Sequence, residues 1–178
     1  MKKIFLILVV VLIGLFLFGC TQFNSALVGT WTTQTHNGWG SSYWFDNSGK
    51  LIVDEPYFEL FDTKIECVNP EDQGSKLVYK SCTFEMIAKD WNTDAMDYLI
   101  QIHNASKNSA YLSDSITIGK AFNKSELIAN KLVAQLRDGF EMNLNYSING
   151  NIGTFELYAY DSTQNYSYSP GGPNTVSK

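Results

Sequence analysis

From Phe140 to Ile148 every second residue is apolar. Phe140, Met142, Leu144, Tyr146 and Ile148 alternate with Glu141, Asn143, Asn145 and Ser147. A period of two is the pattern of a strand with one face on a core and the other in water. Asn149-Gly150 follows, and both residue types tolerate the positive φ of a tight hairpin turn. A two-residue turn at these positions sets Leu144 against Phe155, Met142 against Leu157 and Phe140 against Ala159. The polar face then sets Asn143 against Glu156 and Glu141 against Tyr158. Such a hairpin cannot stand alone in water and needs further strands over its apolar face.

The cysteines supply a second hairpin. With Cys67 opposite Cys82, Ile65 faces Phe84, Thr63 faces Met86 and Phe61 faces Ala88. An apolar stripe emerges around the pair, and residues 69–75, Asn-Pro-Glu-Asp-Gln-Gly-Ser, form a turn-rich loop between the strands. A disulfide joining Cys67 and Cys82 is the expected outcome, with two buried free thiols as the alternative. A third hairpin is expected around Asp46-Asn47-Ser48-Gly49, between Tyr43-Trp44-Phe45 and Leu51-Ile52-Val53. Residues 96–103 and 110–118 also read as strands. Residues 125–137 differ: Leu127, Ile128, Leu132 and Leu136 share one helical face, Asn123 and Glu126 suit a capping box, and Gly139 suits a stop. The expected fold class is therefore all-β, an antiparallel meander of about 8–10 strands closed into a barrel, with one short helix near 125–137. Closure is favoured over a sandwich because it removes exposed sheet edges.

The N-terminus is an address rather than part of that fold. Two lysines, Lys2 and Lys3, precede an apolar run from Ile4 to Phe18, which ends in Leu17-Phe18-Gly19-Cys20. A basic start and an apolar run of this length make a secretory signal. The ending resembles the lipobox of prokaryotic lipoproteins, with Phe18 bulky where that motif usually has a smaller residue. The resemblance implies diacylglyceryl transfer to the Cys20 sulfur, cleavage before it, further acylation of the palmitate type, and an extracytoplasmic protein held to a membrane at Cys20. Kept uncleaved, the same helix would be a short membrane anchor. The expected organisation is a signal peptide over 1–19, a short tether over 20–27, a barrel over 28–161 and a disordered tail over 162–178. Cleavage takes two of the 13 basic residues and none of the 18 acidic ones, so 11 remain against 18 and the net charge moves from −5 to about −7. An acidic chain with a single arginine, Arg137, lacks the basic face of a nucleic-acid binder. An oxidising compartment also suits a cystine.

Leu27-Val28-Gly29-Thr30-Trp31-Thr32, followed by Tyr43-Trp44-Phe45-Asp46-Asn47-Ser48-Gly49-Lys50-Leu51, resembles the opening of lipocalin-like domains. The resemblance implies a calycin-type barrel whose floor is closed by Trp31, with Gly29 letting the chain pass beneath it. Such domains also carry a late Arg that stacks on the Trp, and the last strands here hold no counterpart. Arg137 precedes the final hairpin and is poorly placed for that role. An interior cavity for a small hydrophobic or amphipathic ligand follows from the same resemblance. The inward positions Phe84, Met86, Met142, Leu144 and Phe155 are the candidates to line it.

Little in the sequence points to catalysis. His36 and His103 are the only histidines and lack ligand partners at metal spacing. No Gly-x-Ser-x-Gly elbow, Ser-x-x-Lys motif or phosphate-binding glycine loop occurs. Asp90-Trp91-Asn92-Thr93-Asp94 begins like a calcium loop, but Ala95 and Gln101 stand where an EF-hand needs Gly and Glu, which leaves a looser site of Asp90, Asp94 and Asp97 against the alternative of an acidic solvated loop. Asn-x-Ser occurs at Asn104, Asn123, Asn145 and Asn165, near the chance level for this composition. The reading is a non-enzyme without cofactor or metal. The leading reading is a lipid-anchored protein that binds a small hydrophobic or amphipathic ligand inside the barrel, and the alternative is a structural or partner-binding surface lipoprotein with a filled barrel. The weaker class is an envelope enzyme, which needs a cleft joining His36 or His103 to a carboxylate.

Overall fold

The computed structural model describes residues 23–33, 40–55, 61–89, 93–107, 121–168 and 173–178. Among the described residues, a 3-10 turn at Ser25–Leu27 leads into thirteen strands and one helix. The strands are β1 (Gly29–Thr33), β2 (Ser42–Phe45), β3 (Leu51–Glu55), β4 (Phe61–Val68), β5 (Glu71–Asp72), β6 (Lys76–Tyr79) and β7 (Ser81–Ala88). After helix α1 (Thr93–Lys107) come β8 (Phe122–Ile128), β9 (Lys131–Leu136), β10 (Phe140–Asn149), β11 (Ile152–Asp161), β12 (Tyr166–Tyr168) and β13 (Asn174–Ser177).

All described strands join one antiparallel sheet in the order β5-β6-β10-β11-β13-β1-β2-β3-β4-β7-β9-β8, with β12 beside β11. The path dictates its own curvature. It runs from β6 through seven other strands and comes back to β7, yet only Lys80 lies between β6 and β7 in the chain. Two peptide units span less than about 8 Å. The sheet must therefore curl back on itself, and its inner face becomes the core. The result is barrel-like but not the closed barrel expected, because β5 and β8 each have one partner and remain edges. A register shift between Asn123 and Glu126, with Lys124 at φ +48°, kinks β8 and blunts its edge against further pairing.

The β4–β7 pair has the expected register, with β5 and β6 inserted between the two strands, and the β2–β3 hairpin forms where expected. In β4–β7, Phe61 pairs with Ala88, Ile65 with Phe84 and Cys67 with Cys82. In β2–β3, Tyr43 pairs with Val53 and Phe45 with Leu51. Its turn is held by Asp46, whose Oδ1 accepts from the Ser48 and Lys50 amides at 2.8 and 2.9 Å and from the Ser48 hydroxyl at 2.7 Å. The third hairpin keeps its faces but slips by two residues: Leu144 pairs with Leu157, not Phe155, and Met142 with Ala159. Gly150 takes the first central turn position at φ +62°, which puts the turn at Gly150-Asn151, the arrangement of a type II′ turn.

Three other expectations are corrected. Residues 125–137 form the β8–β9 hairpin rather than a helix. Leu132, Ala134 and Leu136 are buried at a period of two, and the turn forms with Ala129 at φ +53° and the Asn130 side-chain Nδ2 donating to the Ala88 carbonyl at 2.7 Å. The helix occurs instead over 93–107, where strand was expected, and buries Ala95, Leu99 and Ile102 at helical spacing. The expected disordered tail over 162–178 instead holds β12 and β13 among its described residues, and β13 fills the gap between β11 and β1 and buries Val176. The segment 110–118 lies outside the described residues.

One hydrophobic cluster fills the curl, from Leu27 and Trp31 to Val176. Helix α1 packs mainly on β8, and Tyr98 brings its ring to 5.3 Å from Phe61.

Candidate functional site

The positions singled out from the sequence lie at three places. Cys67 and Cys82 are disulfide-bonded across the β4–β7 ladder, with Cα atoms 4.1 Å apart. The bond sits where the sheet turns back on itself, two residues beyond Lys80, and pins that junction.

Gly29 and Trp31 form a second cluster with residues that sequence reasoning missed. Trp31 is fully buried, and its indole Nε1 donates to the Leu27 carbonyl at 2.7 Å. Lys178 Nζ lies 5.2 Å from the Trp31 ring centroid and donates to the Ala26 carbonyl at 3.2 Å. A cation over the face of an indole is attracted by the ring quadrupole. Gly29, at φ +114°, leaves room for this lysine: a Cβ there would stand 2.9 Å from Lys178 Cε. Lysine thus takes the place for which an arginine was sought, while Arg137 Nη2 reaches the Phe122 carbonyl at 3.4 Å. Residues beyond 161 lack a strand period, so the sequence carries no signal for Lys178 at this place.

The third place is the interior. Phe84, Met86, Met142, Leu144 and Phe155 are all brought together there, and none is more than 3% exposed. Phe155 is surrounded by the rings of Trp31, Tyr43 and Phe45, at centroid distances of 5.4, 5.3 and 5.9 Å. Phe84 lies 5.2 Å from Phe122. Tyr79 is also fully buried and donates to the Gly49 carbonyl at 2.9 Å, and burial pushes its phenol well above the ordinary tyrosine value. Interlocked rings of this kind make a packed core. Asn143 sits in the outward register of β10 opposite Val78, yet it is fully buried with neither side-chain amide atom hydrogen-bonded. No sequence signal separates it from Glu141, Asn145 and Ser147, which keep some exposure in the same alternation.

The outer face of β4 and β7 carries a shallow groove of about 210 Å³ lined by Lys64, Glu66, Thr83 and Glu85. Its charges are paired: Glu66 with Lys50 at 2.7 Å and Lys64 at 3.5 Å, and Glu85 with Lys131 at 2.8 Å. The Lys50 ammonium holds the Glu66 carboxyl below the usual range. The exposed large apolar residues Trp44, Ile100, Ile128 and Ile152 stand on four different elements.

His103, on α1, has its Nδ1 2.7 Å from the hydroxyl of Ser125 on β8, and this contact ties the helix to the edge strand. Asp94 and Asp97 lie exposed on α1. Among the described residues, no group of three or more His, Cys, Asp or Glu side chains could hold a metal ion, and no helix is long and apolar enough to cross a membrane. Cys20, His36 and Asp90 lie outside the described residues. The chain matches no family model, no curated protein and no solved structure.

Proposed function

We propose that this is an extracytoplasmic lipoprotein, anchored through lipid on Cys20, whose barrel-like domain is a filled scaffold that serves a protein partner from its outer surface. The carrying observation is the interior. All five residues expected to line a ligand cavity are buried in one continuous cluster and locked by rings around Phe155. A ligand carrier needs a cavity of roughly 300–1,000 Å³ with a few polar groups to orient its cargo. The cystine supports the compartment, since such bonds persist in oxidising spaces. The lipocalin-like reading of Gly29-x-Trp31 is supported by the buried Trp31 ring with the Lys178 ammonium over it.

A titration with an environment-sensitive fluorescent fatty acid tests the filled interior. The proposal expects no saturable one-to-one signal. A saturable signal displaced by unlabelled lipid, and lost on enlarging Phe84 or Met142, overturns it in favour of a carrier of small hydrophobic or amphipathic ligands.

A further inference from the structure

Where the fold begins fixes how it must sit on a membrane. Residues 20–27 were expected to be a tether, but packing already starts at Phe23. Its ring stacks on Phe45 at 6.2 Å. It also lies so close to the β2–β3 turn that a Cβ on Gly49 would stand 2.8 Å from the Phe23 ring and 2.6 Å from Pro70. The next amide, Asn24 N, donates to Asp72 Oδ2 at 3.1 Å, and Leu27 is fully buried. Only Thr21 and Gln22 therefore separate Cys20 from the folded domain. Three residue steps reach about 10 Å when fully extended.

We infer that the end of the sheet that carries the 46–50 turn, the 69–75 loop and the 149–152 turn is a membrane-apposed surface, lying on the lipid headgroups. The inference rests on the lipid anchor proposed above. The three turns belong to one end. Phe23 and Asn24 touch the first two, and Lys178 joins Ala26 to the third through its own amide, which donates to the Asn151 carbonyl at 2.9 Å. Ile152, 58% exposed, opens β11 beside this turn.

Charge agrees with this orientation. These turns and their flanks carry Lys50, Lys76, Lys80 and Lys178 against Asp46, Glu71 and Asp72. This end is close to neutral, while the chain after cleavage has a net charge of about −7. The acidic remainder is then directed away from anionic headgroups. The β8–β9 turn is at the far end: the Ala88 amide donates to the Asn130 carbonyl there. From Cys82 to Ala88 the strand rises about 20 Å.

The test uses the full chain, purified with its lipid and reconstituted in phosphatidylcholine–phosphatidylglycerol vesicles that contain headgroup-nitroxide lipid. Asn47→Cys and Ile128→Cys each offer one free thiol for a bimane label, because Cys67 and Cys82 are joined and Cys20 is acylated. The label at 47 should be quenched about twofold or more, and the label at 128, at the far end of the sheet, by little. A flexible 20-residue insert between Gln22 and Phe23 should erase the difference. Equal quenching at both sites in a chain whose mass includes the lipid overturns the orientation and leaves the anchor standing. A difference that survives the insert overturns the short tether as the cause of the orientation. A mass that shows no lipid on Cys20 overturns the anchor itself, and the orientation with it.

Discussion

Replacing Phe155 by alanine is the sharpest perturbation of the proposed filled interior. The side chain is fully buried and touches three other rings, at 5.4, 5.3 and 5.9 Å. Phe→Ala at a packed position costs about 3–5 kcal/mol, transfer and residual cavity together. A value near 4 kcal/mol is expected here, because the neighbours come from β1 and β2 and are held by ladder pairing with each other. A domain of this size has a stability of about 5–15 kcal/mol, so the variant should still fold in water. With a urea m-value of about 2 kcal/mol/M, the midpoint should fall by about 2 M at unchanged m. Near-ultraviolet circular dichroism follows the loss, because it reports the fixed packing of the aromatic rings. A loss below about 1 kcal/mol would refute the packing argument, since so small a cost means that the ring already borders open space.

Reduction of Cys67–Cys82, or the Cys67→Ala/Cys82→Ala variant, releases a closed loop with a sequence separation of 15. Loop entropy puts the cost at about 3 kcal/mol, a fall in Tm of about 6–12 °C by calorimetry. Gly49→Ala should cost about 2 kcal/mol or more and Gly74→Ala only about 1. Both glycines have positive φ, but an added Cβ meets Pro70 and Phe23 at Gly49 and open space at Gly74. Denaturant midpoints rank the two. Asp46→Ala should cost about 1 kcal/mol through the lost turn hydrogen bonds. The Ser48 hydroxyl, with the amides of Lys50 and Ser48, holds this carboxyl below its ordinary 3.8. The folded value is depressed, so its contribution is complete above the unfolded pKa and is lost as pH falls through the folded one. The wild-type advantage over Asp46→Ala should therefore shrink below pH 3.8. Asn143→Leu should raise Tm, because it removes two buried unpartnered amide atoms.

Hairpins were legible in the sequence where two independent signals coincided. The β4–β7 register followed from the apolar stripe and the cysteines together, and both agree with the ladder. The β10–β11 faces followed from alternation, but the turn was placed one residue early, because Asn149 looked as able as Gly150 to adopt positive φ. Residues 125–137 misled because four apolar side chains satisfy a helical spacing while Leu132, Ala134 and Leu136 satisfy a strand, and neighbouring strands settle the choice. Helix α1 escaped notice because a short stretch of it mixes apolar and polar residues much as a strand does. Strand β13 has one apolar residue, Val176, too little for periodicity to register. The Trp31–Lys178 contact was illegible for the same reason, since it depends on β13 bringing residue 178 back beside β1.

The most direct measurement is native mass spectrometry of the lipidated full chain, purified from its membrane and desolvated gently. The account predicts residues 20–178 with lipid on Cys20 and two hydrogens fewer for the cystine. It also predicts no non-covalent adduct, before or after incubation with cell lipid extract. A stoichiometric adduct that leaves on denaturation and is recovered as a small lipid-like molecule would contradict the filled scaffold and make the protein a carrier.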